Sequence, residues 1–151
     1  MKSHLKYLSY ITRHKWYVFV ECCKLGIPWR GLVHDLSKFL PSEWEPYRLT
    51  YCGPWDYDNR PEWVVIAYKY AWLHHQRRNR HHWQYYILIY DNERENDGPL
   101  PMPDKYRREM LADWRGAGKA LGKPDTRAWY NEHKDYTILH PETRDWIERN
   151  L

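Results

Sequence analysis

With 151 residues and 24 Lys and Arg against 20 Asp and Glu, the chain can bury one core, and its +4 charge is too mild and interspersed to mark a nucleic-acid binder. Ten Trp and fourteen Tyr against two Phe predict a core whose outer layer is hydrogen-bonded, with aromatic walls around a pocket. Cys22, Cys23 and Cys52 form neither a disulfide framework nor a C-x-x-C zinc motif, and no run approaches a membrane span, so we expect a soluble cytoplasmic protein, residues 1–151 being a single domain.

Prolines and glycines cut the chain into helical pieces, and no run of alternating strands is evident. Ser3 is placed to cap a first helix reaching about residue 25, with Gly26 to end it. Pro28 suits the first turn of a second helix running to about residue 39. Ser42 and Glu45 have capping-box spacing, and Pro46 predicts that this piece stays short. Residues 50–60 read as a loop, and Pro61 opens a long helix ending near Arg78. Asn79 is positioned to cap a further helix over about 80–90. Residues 91–103, with three prolines, read as a solvated loop, the alternative being a flexible lid. A helix from Pro103 to about residue 121 is closed by Gly122, and Pro124 and Pro141 begin two shorter helices. The expected fold class is all-α, a compact helical bundle.

Periodicity says which polar residues face inward. Tyr7, Ile11, His14, Val18, Cys22 and Leu25 follow three- and four-residue steps, so His14 lies within an apolar stripe. Val64, Tyr68, Ala71 and His75 form a second stripe, which favours His75 over His74. Tyr106, Met110, Asp113, Ala117 and Leu121 form a third, and a carboxylate on a buried face is costly unless it is paired or coordinates a cation. Leu32, Leu36 and Phe39 mark the expected packing side of the second helix, which carries the adjacent pair His34-Asp35. That pair offers a neutral nitrogen and an anionic oxygen to one cation. The doublets His74-His75 and His81-His82 add further imidazoles, and Arg77, Arg78 and Arg80 beside them either suit phosphate oxygens or make a solvated basic turn.

The order His14, His34-Asp35, later histidines and then Asp113, with Leu36-Ser37-Lys38 after the pair, resembles the HD superfamily of metal-dependent phosphohydrolases. His74-His75-Gln76 is similar to the His-His-Glu segment of multinuclear HD-GYP-type members, but the Gly-Tyr-Pro signature is absent, which argues against cyclic-dinucleotide cleavage. The stretches Arg13-His14-Lys15-Trp16, His34-Asp35-Leu36-Ser37-Lys38-Phe39, Trp72-Leu73-His74-His75, His81-His82-Trp83-Gln84-Tyr85 and Leu139-His140-Pro141-Glu142-Thr143 resemble a family of uncharacterised small bacterial and phage proteins.

The superfamily resemblance implies an HD-like helical fold in which His14, His34, Asp35 and Asp113 hold one divalent ion, and His75 and His82, or their neighbours His74 and His81, a second. With four protein ligands, open positions require five- or six-coordination, compatible with Mn, Fe, Co, Ni, Mg or Zn. The expected activity is hydrolysis of a phosphate ester in a nucleotide or similar small anion by metal-activated water. Asp35 and Lys38 are the candidate catalytic residues, and Lys38, Arg77 and Arg78 the candidate substrate-binding ones. The alternatives are a di-iron HD-type oxygenase, or a non-catalytic metal-containing factor that binds a nucleotide or a protein. No membrane partner is expected, a nucleic acid is not favoured, and the oligomeric state is open.

Overall fold

A computed structural model describes residues 2–88 and 98–151. Lys2–Lys24 forms helix α1, and Tyr7, Ile11, His14, Val18, Glu21 and Cys22 are its buried positions, one stripe at helical spacing. Gly26, at φ 75°, lets the chain reverse: Gly26 N–H donates to the Cys23 carbonyl and Ile27 N–H to the Cys22 carbonyl. These two hydrogen bonds satisfy two carbonyls that a helix end would leave unpaired.

The second predicted helix is two pieces. Helix α2, Pro28–Val33, stops at His34, whose ψ of 128° is extended, and Asp35 takes a left-handed φ of 52° before a 3₁₀ turn over Leu36–Phe39. Leu32, Leu36 and Phe39 are exposed, not packed, because the break turns the chain so that His34, Asp35 and Ser37 go inward instead. A left-handed non-glycine is held only where its surroundings over-determine it. Here Lys15 Nζ donates to the His34 carbonyl and Lys38 pairs with the Asp35 carboxylate.

Helix α3 spans Pro41–Cys52 and runs straight through Pro46, so it is longer than the proline predicts. Its buried Glu43, Tyr47 and Thr50 dock it against its neighbours, and this tertiary packing overrides the lost hydrogen bond. The expected loop at 50–60 is thereby shortened, and Tyr57–Asn59 make a 3₁₀ turn. Helix α4, Glu62–Arg78, buries Val64, Ala71 and His75.

The helix predicted over 80–90 is absent from the described part of that stretch. Asn79 ends α4, its N–H donating to the His75 carbonyl. A 3₁₀ turn follows at Trp83–Tyr86, then strand β1, Ile87–Leu88, which pairs antiparallel with β2, Gly98–Pro99. Most of the loop expected over 91–103 falls at 91–97, outside the described residues.

Helix α5, Asp104–Ala120, lies along α1, and α1 also packs on α2 and α3 while α3 packs on α4. A Cβ at Gly116 would sit 2.5 Å from Val18 Cγ2 and 2.8 Å from Val18 N, so α1 and α5 approach as closely as they do because position 116 has no side chain. Leu121, counted in the α5 stripe, lies exposed beyond the helix end. Helices α6, Thr126–His133, and α7, Pro141–Asn150, close the C-terminal side over Met110, Leu111, Tyr130, Leu139 and Ile147. The fold is an all-α bundle with one two-stranded hairpin, and no described helix is long and apolar enough to cross a membrane.

Candidate metal centre

Four elements deliver imidazoles and carboxylates to one buried region. Helix α1 brings His14, the α2 break brings His34 and Asp35, α4 brings His75, and α5 brings Asp113. His81 and His82 enter from the turn after α4, where the missing helix leaves the chain free to bend both rings inward. His14, His34, Asp35, His75 and His81 are each at most 3 % exposed, and Asp113 is nearly buried.

The two oxygens of Asp35 face different histidines. Oδ2 stands 3.4 Å from His34 Nε2 and 3.9 Å from His14 Nε2, whereas Oδ1 stands 3.3 Å from His75 Nε2 and 3.4 Å from His81 Nε2. Asp113 repeats the division: Oδ1 is 3.3 Å from His14 Nε2 and 3.4 Å from His34 Nε2, and Oδ2 is 3.9 Å from His81 Nε2. None of these approaches is a hydrogen bond. Nε2 of His14, His34, His75, His81 and His82, and Asp35 Oδ1, are buried without a hydrogen-bond partner, while Asp35 Oδ2 is met by Lys38 at 2.6 Å.

Orphaned buried polar atoms are expensive, and six in one place are a setting that a bound cation would satisfy. Donor atoms about 2.1 Å from a shared cation stand roughly 3.0–3.4 Å apart, close to most of the separations found here. Asp35, His75, His81 and His82 form one group whose donor atoms lie within 4.8 Å of each other, and His14, His34 and Asp113 form another. These residues can hold a metal ion.

A second set of side chains fixes which nitrogen each ring presents. Glu109 lies 3.1 Å from His34 Nδ1 and 3.4 Å from His81 Nδ1, and Glu43 lies 2.6 Å from His75 Nδ1. A carboxylate accepting from Nδ1–H leaves Nε2 bare and makes it a better donor to a cation. Glu109 is itself held by Arg30 at 2.6 Å, and Glu43 by the Ser37 hydroxyl at 3.1 Å. Sequence reasoning missed both glutamates. Glu109 stands four residues before Asp113 on the same face of α5, the one signal that marks it, whereas Glu43 sits inside the segment read as a capping box.

Electrostatics follow the same pattern. Burial works against ionisation of Asp35, but His34, Lys38 and His75 outweigh it and hold the carboxyl far below its ordinary range. Asp113 is held down likewise by His14 and His34, and Glu109 falls to about 2 through its bonds to His34 and His81. Burial opposes protonation of His34, yet Asp35, Asp113 and Glu109 raise it to about 10. His14 is lowered by burial, and His82 far more so by burial and the adjoining His81 and His75. The pocket is thus anionic enough to favour a cation.

Lys38 Nζ sits 2.6 Å from Asp35 Oδ2, and burial of the ammonium is outweighed by Asp35 and Asp113, which raise its pKa. The side chain also lines a cavity of about 630 Å³ walled by Tyr7, Tyr10, Tyr47, Tyr51, Tyr68 and Trp72. Of the sequence candidates, His74 does not join the cluster: it is exposed, 3.4 Å from Arg78 Nη1, because the α4 stripe that turns His75 inward turns its neighbour out. Arg77 is exposed. Arg78 lines a different cavity, of about 520 Å³, with Arg30, Ser37, Asn79 and Arg80.

The chain belongs to a family of unknown function (DUF5662), whose family model matches residues 3–151. No curated protein and no solved structure matches it.

Proposed function

We propose that the chain is a metal-dependent phosphohydrolase, acting on a nucleotide or similar small phosphate ester at a two-cation centre. The observation that carries this reading is the division of Asp35: one carboxylate turned toward His14 and His34 by Oδ2 and toward His75 and His81 by Oδ1, with every facing Nε2 unpartnered. A closed structural zinc site takes four ligands, whereas five imidazoles and two carboxylates exceed that number and suit a pair of ions.

Divalent cations held by His14, His34, Asp35, His75, His81, His82 and Asp113 would supply the chemistry of lowering the pKa of water and polarising a phosphoryl oxygen. The chain's own residues do the rest. Asp35 and Asp113 hold the negative charge that gathers the cations, while Glu43 and Glu109 keep three rings in the tautomer that presents Nε2. Lys38, at the boundary between cluster and aromatic cavity, places a compact positive charge where a phosphate entering from that cavity arrives. In hydrolysis the water oxygen forms the new P–O bond, the ester P–O bond breaks, and a water proton ends on the leaving alcohol.

The test is elemental analysis of protein purified without added metal, followed by a phosphomonoester and phosphodiester panel with Mn²⁺, Fe²⁺, Co²⁺, Ni²⁺, Mg²⁺ and Zn²⁺ each supplied in turn. About two ions per chain and metal-dependent release of phosphate or a nucleotide are expected. Failure of every metal on every ester overturns the reading. Iron content with an oxo-bridged visible spectrum would replace it with oxygenase chemistry.

A further inference from the structure

The 630 Å³ cavity is of the size that encloses one small organic molecule and excludes a folded polymer. It stands back to back with the cluster. Tyr10 stacks on His14 at 6.1 Å between ring centres, Trp72 on His75 at 5.7 Å, and Tyr47 meets His75 edge-on at 6.1 Å. Whatever occupies the cavity therefore lies one aromatic ring from the imidazoles.

Its lining has a distinct chemistry. Tyr10, Tyr51, Tyr68 and Trp72 retain accessible ring surface for stacking. Lys6, Arg13 and Lys38 are its charged lining residues, and no carboxylate joins them. Tyr7 and Tyr47 are 1 % and 6 % exposed, and their hydroxyls are buried without a hydrogen-bond partner. A purely apolar ligand would leave both hydroxyls and the charges of Lys6 and Arg13 unused, and a sugar phosphate would leave the rings unused. The other cavity offers a base less to stack on, Tyr106 being the one aromatic residue in its lining.

We propose that this cavity binds a mononucleotide, its base against the Tyr and Trp wall and its phosphate toward Lys38. The fate of the phosphate rests on the hydrolase reading above, whereas recognition of the base does not. The assignment makes Tyr51 and Tyr68 specificity residues, and it takes Arg77 out of substrate binding.

The experiment is a titration of the purified protein with AMP, CMP, ribose 5-phosphate and inorganic phosphate, followed by tryptophan fluorescence and calorimetry, with phosphate release monitored in parallel. Both mononucleotides should bind, and ribose 5-phosphate about tenfold or more weakly, since stacking of a base on an aromatic ring is lost. Tyr51, half exposed, is the wall position safest to truncate. Tyr51→Ala should weaken AMP by about fivefold or more and leave ribose 5-phosphate unchanged. Tyr47→Phe, which keeps the ring and removes the unpartnered hydroxyl, should weaken nucleotide binding by about three- to tenfold. Equal affinity for AMP and ribose 5-phosphate, no binding of either mononucleotide, or equal loss of both ligands in Tyr51→Ala would overturn the proposal. Tight AMP binding without turnover supports it while removing the hydrolase reading; hydrolysis without preference for a base does the reverse.

Discussion

The two ends of the bundle bury polar groups by opposite rules. Around α6 and α7 each interior polar group has a partner: the Tyr130 hydroxyl donates to Glu148, Arg144 reaches Tyr130 and the Thr137 carbonyl, and the Thr143 hydroxyl accepts from Met102 N–H. Between α1, α4 and α5, imidazoles and carboxylates are buried with their donor atoms bare. Among the described residues beyond 97, no buried side-chain polar atom lacks a partner. The contrast teaches where stability is made and where it is spent. The C-terminal core is an ordinary apolar cluster with satisfied edges, and its job is to hold α5 while the other end carries the unsatisfied groups.

The sharpest way to break that comparison is Asp35→Ala. It removes the carboxylate whose two oxygens come within 3.4 Å of both histidine sets, and several kcal/mol of transition-state stabilisation should go with it, about 10³-fold or more in turnover. Metal content should fall while far-ultraviolet circular dichroism keeps its helical form. Unchanged metal content in this variant would mean that the bare atoms serve some other purpose.

The complementary change, Ile147→Ala, strikes the fully buried centre of the other end. A loss of about 2–5 kcal/mol in denaturant unfolding is expected, with the same number of ions per folded chain. If metal stoichiometry dropped as well, the two ends would not be separable.

Glu43→Gln and Glu109→Gln probe the middle ground, residues that touch the rings but not the bare atoms. Metal affinity should fall by about 10- to 100-fold in a competitive chelator titration, with folding retained. Wild-type affinity in both would show that the glutamates only fill space.

The smallest effect belongs to a buried carboxylate far from the cluster. Burial raises the pKa of Glu21, but bonds from Lys119 and Lys24 overcome it and leave the group below its ordinary value. Its stabilisation is therefore complete above about pH 4.5, the unfolded value, and disappears as pH falls through the lower folded one. The thermal-stability gap between wild type and Glu21→Gln, on the order of 1 kcal/mol at pH 7, should narrow progressively as the pH falls below about 4.5. A gap independent of pH would count against an ionised Glu21.

Much of this contrast is legible in the chain, and the illegible parts share a cause. Helical steps alone place His14 and His75 inward and His74 outward, because a stripe three or four residues apart has only one face. They cannot announce the break at Asp35, since Leu32, Leu36 and Phe39 keep helical spacing across it although the backbone does not. Pro46 misleads because local propensity is weak against the packing of Tyr47 and Thr50. Residues 80–90 look helical for want of a breaker, yet the demand that His81 and His82 both turn inward is incompatible with adjacent positions of one helix. Glu43 and Glu109 stay hidden because a helical glutamate reads as solvated until its partner from a distant segment is known. The HD likeness rests on sparse positions, and the family match adds length without chemistry.

One absence of atoms has a reach beyond its own position. Gly116 lies one turn past Asp113, and the Val18 it touches lies one turn past His14, so the bare glycine works as a spacer set beside the gap between those two side chains. A single methyl group there would act as a wedge driven between two rods, opening them at the point where His14 and Asp113 stand 3.3 Å apart. The spacing of His14 and Asp113 across the cluster is thus gauged by the thinnest residue in the chain, at a place that touches neither side chain.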